Sequence, residues 1–214
     1  SVFISHLGGG FSAFSALHHD AEEIVVVEPN TALIDMMKEN PVIRDFQGDL
    51  LNDPRIDIRE QEPRAHANRH GSEYDLVEIS LIDSLGLSQS VGNPLHENYT
   101  YTTDAIEDYM SCLKPGGLLS ITTWNHLAPP RNVPRLLTTV IESMRKQGIE
   151  EPGKHLYVFQ LIYSTATVLV KKTPFTAEEI EALNNFTYKM SFETVYYHGI
   201  EKRENNLAEQ LEAY

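Results

Sequence analysis

Three consecutive glycines, Gly8-Gly9-Gly10, stand between an apolar run, Val2 to Ser5, and a stretch of helical periodicity from about Phe11 to His19. At a strand-to-helix junction, absent side chains let backbone N–H groups approach a ligand and permit positive φ. A tight turn demanded by packing alone would use the same residues. The next apolar run, Ile24 to Glu28, ends in an acid about 20 residues after the glycines, the spacing at which a carboxylate can accept hydrogen bonds from a ribose. Taken singly, Glu28 reads equally well as a solvated strand end. Together, the glycines and Glu28 point to nucleoside binding.

Other chemistries find less support. Nine histidines invite a metal reading, but His18-His19 lies at a helix end, where imidazoles complement the dipole, and no pair has zinc-ligand spacing. No metal site is expected. The formal net charge is −14 and the Lys and Arg residues are scattered, so a phosphate backbone would be repelled and nucleic acid is not an expected partner. A small cationic amine would instead be attracted. No apolar run approaches the roughly 20 residues of a membrane span, so no membrane span is expected. A single cysteine, Cys112, suits a reducing compartment and a buried thiol, which predicts a cytoplasmic protein.

Positioning these residues requires a scaffold, and the alternation of apolar runs with helical periodicity predicts one. Strands are expected at Val2 to Ser5, Ile24 to Glu28, Ile56 to Arg59, Tyr74 to Ile79 and Leu118 to Thr123. Helices are expected at Phe11 to His19, Thr31 to Glu39, Pro63 to Arg69, Thr103 to Leu113, Asn132 to Lys146 and Thr176 to Phe186, the last with a capping-box spacing of Thr176 and Glu179. Leu156 to Ile162 and Thr167 to Lys171 are close enough to form an antiparallel hairpin. The reading is an α/β fold with a seven-stranded, mostly parallel sheet, helices on both faces and that hairpin at one edge. One domain spans 1–188, and 189–214 forms a C-terminal tail, helical near its end. Because Val2 to Ser5 already reads as a buried strand, a native N-terminal segment is expected to be missing. In such sheets ligands bind beyond the carboxyl ends of the strands, which directs attention to the loops after Ser5, Glu28, Ile79 and Thr123.

Four stretches carry a family resemblance: Val25-Val26-Val27-Glu28-Pro29-Asn30, Tyr74-Asp75-Leu76-Val77, Glu97-Asn98-Tyr99-Thr100-Tyr101-Thr102, and Leu113-Lys114-Pro115-Gly116-Gly117-Leu118-Leu119. From Val2 through Trp124 the chain resembles the spermidine synthase-like branch of the class I S-adenosylmethionine-dependent methyltransferase superfamily. The resemblance implies a Rossmann-like sheet, with S-adenosylmethionine or decarboxylated S-adenosylmethionine as cofactor. Gly8, Gly9 and Gly10 would contact the amino-acid or sulfonium part, Glu28 the ribose hydroxyls and Glu62 the adenine amino group. Read from its own position, Glu62 beside Pro63 is also an ordinary first-turn acid.

The family ends its fourth strand in an Asp-Ser-Ser-Asp-Pro-like run, where this chain has Ser80-Leu81-Ile82-Asp83-Ser84. Asp83 matches the second acid, which in the family orients the attacking amine and helps remove its proton. Ser80 stands where the first acid would be, within the cofactor-binding set. An Asp opening a turn with Ser84 is the alternative. His6 replaces the usual first glycine, and its Cβ is expected to narrow the pocket. The resemblance thus implies alkyl or aminopropyl transfer to a small-molecule amine or other nucleophile, in a family whose members commonly form homodimers. A class I methyltransferase with another acceptor, and a catalytically silent nucleoside-binding or regulatory module, are the rival readings.

Overall fold

A computed structural model describes residues 1–82, 99–125, 132–162 and 164–200. Eight strands form one sheet: β1 (Val2–Ser5), β2 (Ile24–Val27), β3 (Ile56–Arg59), β4 (Tyr74–Ser80), β5 (Leu113–Trp124), β6 (Leu156–Leu161), β7 (Thr165–Lys171) and β8 (Glu193–Tyr197). Their order is β3-β2-β1-β4-β5-β7-β6-β8. β1 to β5 pair in parallel, whereas β7 and β8 run antiparallel to their neighbours.

The sequence accounts for the centre of this sheet directly. β2 is an unbroken Ile-Val-Val-Val run, buried at every residue, as a strand covered on both faces must be. Residues alternate between two cores. On one face Phe3, Val77 and Ile121 pack against Ala67 of α4 (Pro63–Arg69), Ile106 of α5 (Thr103–Ser111) and Leu137 of α6 (Asn132–Lys146). On the other, Ile4 and Val26 pack against Ala13 of α1 (Phe11–His18) and Met37 of α2 (Thr31–Glu39). Helix α7 (Ala177–Lys189) opens with the expected Thr176–Glu179 capping box.

Three features depart from the sequence reading. The sheet has eight strands rather than seven, because β8, within the segment read as a tail, pairs with β6. Its Thr194-Val195-Tyr196-Tyr197 core is a short run of good strand formers, and Val195 and Tyr196 are buried. β5 starts at Leu113 and not at Leu118, with a shift of register against β4 between Tyr74 and Leu76. A further helix, α3 (Pro41–Phe46), follows α2 without a loop. Asn40 serves both, closing α2 and accepting from Val42 N and Ile43 N at 3.0 and 3.3 Å to open α3. Among the described residues no helix is long and apolar enough to cross a membrane.

Candidate functional site

From β1 the chain moves outward to β2 and β3, and from β4 it moves the opposite way to β5. The carboxyl ends of the paired strands β1 and β4 therefore bound the crevice of the sheet. A left-handed residue follows each end: His6 has φ +74° and Leu81 φ +50°. For side chains with a Cβ this conformation costs about 1–2 kcal/mol. Both are held by the adjacent strand, His6 N donating to Val27 O at 2.8 Å and Leu81 N to Thr122 O at 2.9 Å. His6 thus occupies a backbone conformation suited to glycine, and its Nδ1 lies 3.0 Å from Ser5 Oγ.

The three glycines have different reasons for being glycine. Gly10 caps α1 at φ +82°, and a Cβ there would stand 2.8 Å from Leu50 Cδ2, so local packing and conformation both require it. A Cβ at Gly8 or Gly9 would meet nothing within 4 Å, and both residues are exposed. Packing therefore explains neither, although Gly8, at φ +51°, has a backbone conformation that favours glycine, whereas Gly9 does not. Their bare backbone forms an open cradle between β1 and α1, braced by Gln47 Nε2 donating to Gly9 O at 3.1 Å.

Glu28 lies just beyond β2 and is only 3% exposed, which removes the solvated-strand-end reading. Its Oε2 accepts from Leu7 N at 2.9 Å and its Oε1 from Asn30 N at 2.8 Å. The carboxylate joins the glycine loop to the start of α2, and each oxygen retains acceptor capacity. Glu62, beyond β3, is the exposed N-cap residue of α4 and makes no side-chain cap bond. Ser80 is the half-buried last residue of β4. The glycine loop and Glu28 are in contact through Leu7, Ser80 ends the strand beside β1, and Glu62 stands at the far side of β2. Asp83 lies outside the described residues. Of the Tyr99-to-Thr102 stretch, Thr102 Oγ1 accepts from Ala105 N at 3.2 Å and caps α5, while Tyr99 is exposed.

The sequence reading missed a second acid. Glu78, in the middle of β4, accepts from Ser12 Oγ of α1 at 2.8 Å, and burial pushes its carboxyl above the usual carboxylate range, offset in part by that bond. A carboxylate between the buried Val77 and Ile79 of β4 was the available signal. Below the sheet ends, His66 is buried between Gln61 and Tyr74, with Nε2 2.7 Å from Tyr74 Oη. Burial, then neighbouring positive charge, lowers its pKa to about 4. Among the described residues no three His, Cys, Asp or Glu side chains gather as a metal site.

No protein-family model matches the chain, and no curated protein matches it by sequence. Solved structures do. A spermidine synthase from Thermotoga maritima aligns with a TM-score of 0.57 and 16% identity over 83% of this chain and 55% of that one. A spermidine synthase in complex with the transition state analogue AdoDATO aligns with a TM-score of 0.58 and 14% identity, over 92% of this chain and 60% of that one. The chain thus spans 55 to 60% of the length of these two enzymes. Human methyltransferase-like protein 13, in complex with SAH, aligns with a TM-score of 0.59 and 13% identity over 98% of this chain and 87% of that one. The architecture is that of a spermidine synthase-like, class I methyltransferase-type fold.

Proposed function

We propose that this chain binds an S-adenosylmethionine-type nucleoside over the Gly8-Gly9 cradle and serves the transfer of an alkyl group to a nucleophile, an amine in the first instance. The observation that carries the reading is the open glycine loop tied through Leu7 to a buried Glu28, beside the crevice between β1 and β4. The residues fit such a ligand: side chains at positions 8 and 9 would cover the cradle, and both Glu28 oxygens keep lone pairs for hydroxyl donors. The AdoDATO and SAH complexes of the structural neighbours support the choice of ligand class.

When bound, a sulfonium donor supplies an electrophilic carbon. The task left to the protein is to align and desolvate the nucleophile, so orientation supplies most of the acceleration. In this reading Glu28 holds the ribose hydroxyls, Glu62 the adenine amino group, and Gly8 to Gly10 the amino-acid or sulfonium part, with Ser80 at the pocket edge. Asp83 orients the amine and takes its proton. Methyl transfer is the second reading, supported by the alignment with human methyltransferase-like protein 13 over 87% of that chain. Titration calorimetry with S-adenosylmethionine, its thioether product and decarboxylated S-adenosylmethionine tests the proposal. At least one should bind with a dissociation constant near micromolar, about −8 kcal/mol. Absence of binding by all three would refute it.

A further inference from the structure

Glu78 has no role in the reading above, and its surroundings give it one. In register it stands between Ile4 of β1 and Ser120 of β5, so its side chain rises on the α1 face of the sheet at the two strands that bound the crevice. Ser80, Thr122 and Thr167 continue a half-buried polar stripe on that face, with Thr122 Oγ1 2.9 Å from Thr167 Oγ1. Ser12, the donor to Glu78 Oε1, is only two residues beyond Gly10. Among the described residues no other donor reaches the carboxyl and no Lys, Arg or His pairs with it.

A desolvated carboxyl without a counter-charge costs stability, and burial raises its proton affinity for that reason. Leucine or valine at this position would carry no such cost. Residues that break a local rule at a stability cost concentrate where a ligand repays it. The group that would repay a lone carboxylate is a cation with N–H donors.

We propose that Glu78 is the receptor for a primary ammonium group carried by the nucleoside seated on the glycine loop. The proposal rests on the nucleoside reading and adds its cationic determinant. Ser12 holds one carboxyl oxygen and leaves Oε2 for the ammonium, while Ser80 and Ser120 flank the position. Glu78 thereby selects nucleosides that carry an aminoalkyl or amino-acid tail over those that do not.

The test compares S-adenosylhomocysteine, which carries the ammonium, with 5′-methylthioadenosine, which lacks it, by titration calorimetry on wild type and Glu78→Gln. Gln preserves the Ser12 hydrogen bond and the side-chain shape while removing the charge. The variant should bind S-adenosylhomocysteine about 10-fold or more weakly and 5′-methylthioadenosine within about twofold of wild type. Equal losses for both ligands, or no loss for either, would overturn the role of Glu78 while leaving the nucleoside reading intact. Failure of both ligands, and of S-adenosylmethionine and its decarboxylated form, to bind wild type would instead refute the nucleoside reading, and the proposal with it. The thermal midpoint of the ligand-free variant gives a second measurement at neutral pH. It should equal or exceed that of wild type, and a fall would mark Glu78 as a tether for α1.

Discussion

Glu28 Oε2 accepts the backbone N–H of Leu7 across 2.9 Å, although the two residues belong to different strand-to-helix loops. Because Oε1 of the same carboxylate accepts from Asn30 N, one buried side chain sets the spacing of both loops. Glu28 is thereby a structural residue of the site as well as its proposed ribose contact.

Glu28→Gln should accordingly cost stability even without ligand. The amide NH2 would face one of the two backbone donors, leaving that N–H unsatisfied in a buried place, at about 1–3 kcal/mol. Chemical denaturation monitored by circular dichroism measures this. A variant as stable as wild type would show that the carboxylate does not organise the loops.

The glycines provide a contrast within one loop. Gly10→Ala must adopt φ +82° and displace Leu50, and the conformation alone costs about 1–2 kcal/mol. Gly9→Ala meets open space without a positive φ, so its unfolding free energy should stay within about 0.5 kcal/mol of wild type. Its nucleoside affinity should nevertheless fall, because the methyl group stands on the cradle. Undiminished affinity in Gly9→Ala, measured by calorimetry, would place the ligand elsewhere.

The sequence made β1, β2 and the glycine loop legible because a buried parallel strand is a continuous apolar run and its turn needs glycine. Glu28 was legible as an acid at a strand end, but its bonds to Leu7 and Asn30 were not, since backbone donors leave no mark in residue type. β8 escaped because five residues after a helix carry little periodicity, and its place depends on the distant strand β6. Glu78 escaped for a related reason. The alternation of β4 shows a polar residue, whereas the cover that desolvates it comes from α1, some 66 residues earlier.

His66 predicts a specific loss of stability in mild acid. Gln61 donates to Nδ1, so the neutral ring carries its proton on Nε2, toward Tyr74 Oη, and a second proton on Nδ1 would displace the Gln61 bond. The folded-state pKa is about 4 against an ordinary value of 6.5, so below pH 6.5 the unfolded chain takes up a proton that the folded chain refuses. Stability is whole above pH 6.5 and falls as pH drops toward 4. The loss from this one group is about 2 kcal/mol at pH 5. Urea unfolding at pH 7, 6 and 5 measures the slope, and His66→Gln should flatten it between pH 6.5 and 5. An unchanged slope in the variant would assign the acid sensitivity to other groups.

Asp83 separates the functional readings. In aminopropyl transfer the amine lone pair forms the new C–N bond as the C–S bond breaks, its electron pair passes to sulfur, and the nitrogen must shed a proton. A carboxylate in reach of that nitrogen orients the lone pair and accepts the proton, effects together worth on the order of 100-fold or more in rate. Asp83→Asn preserves size and removes the base, so turnover of putrescine with decarboxylated S-adenosylmethionine should drop by about that factor while nucleoside affinity holds. Equal turnover by the Asn variant would remove Asp83 from the chemistry. A blank with wild type in this assay, together with consumption of S-adenosylmethionine once a suitable acceptor is supplied, would establish methyl transfer instead. Nucleoside binding with no transfer from either donor would identify a binding module that keeps the fold and has lost the reaction.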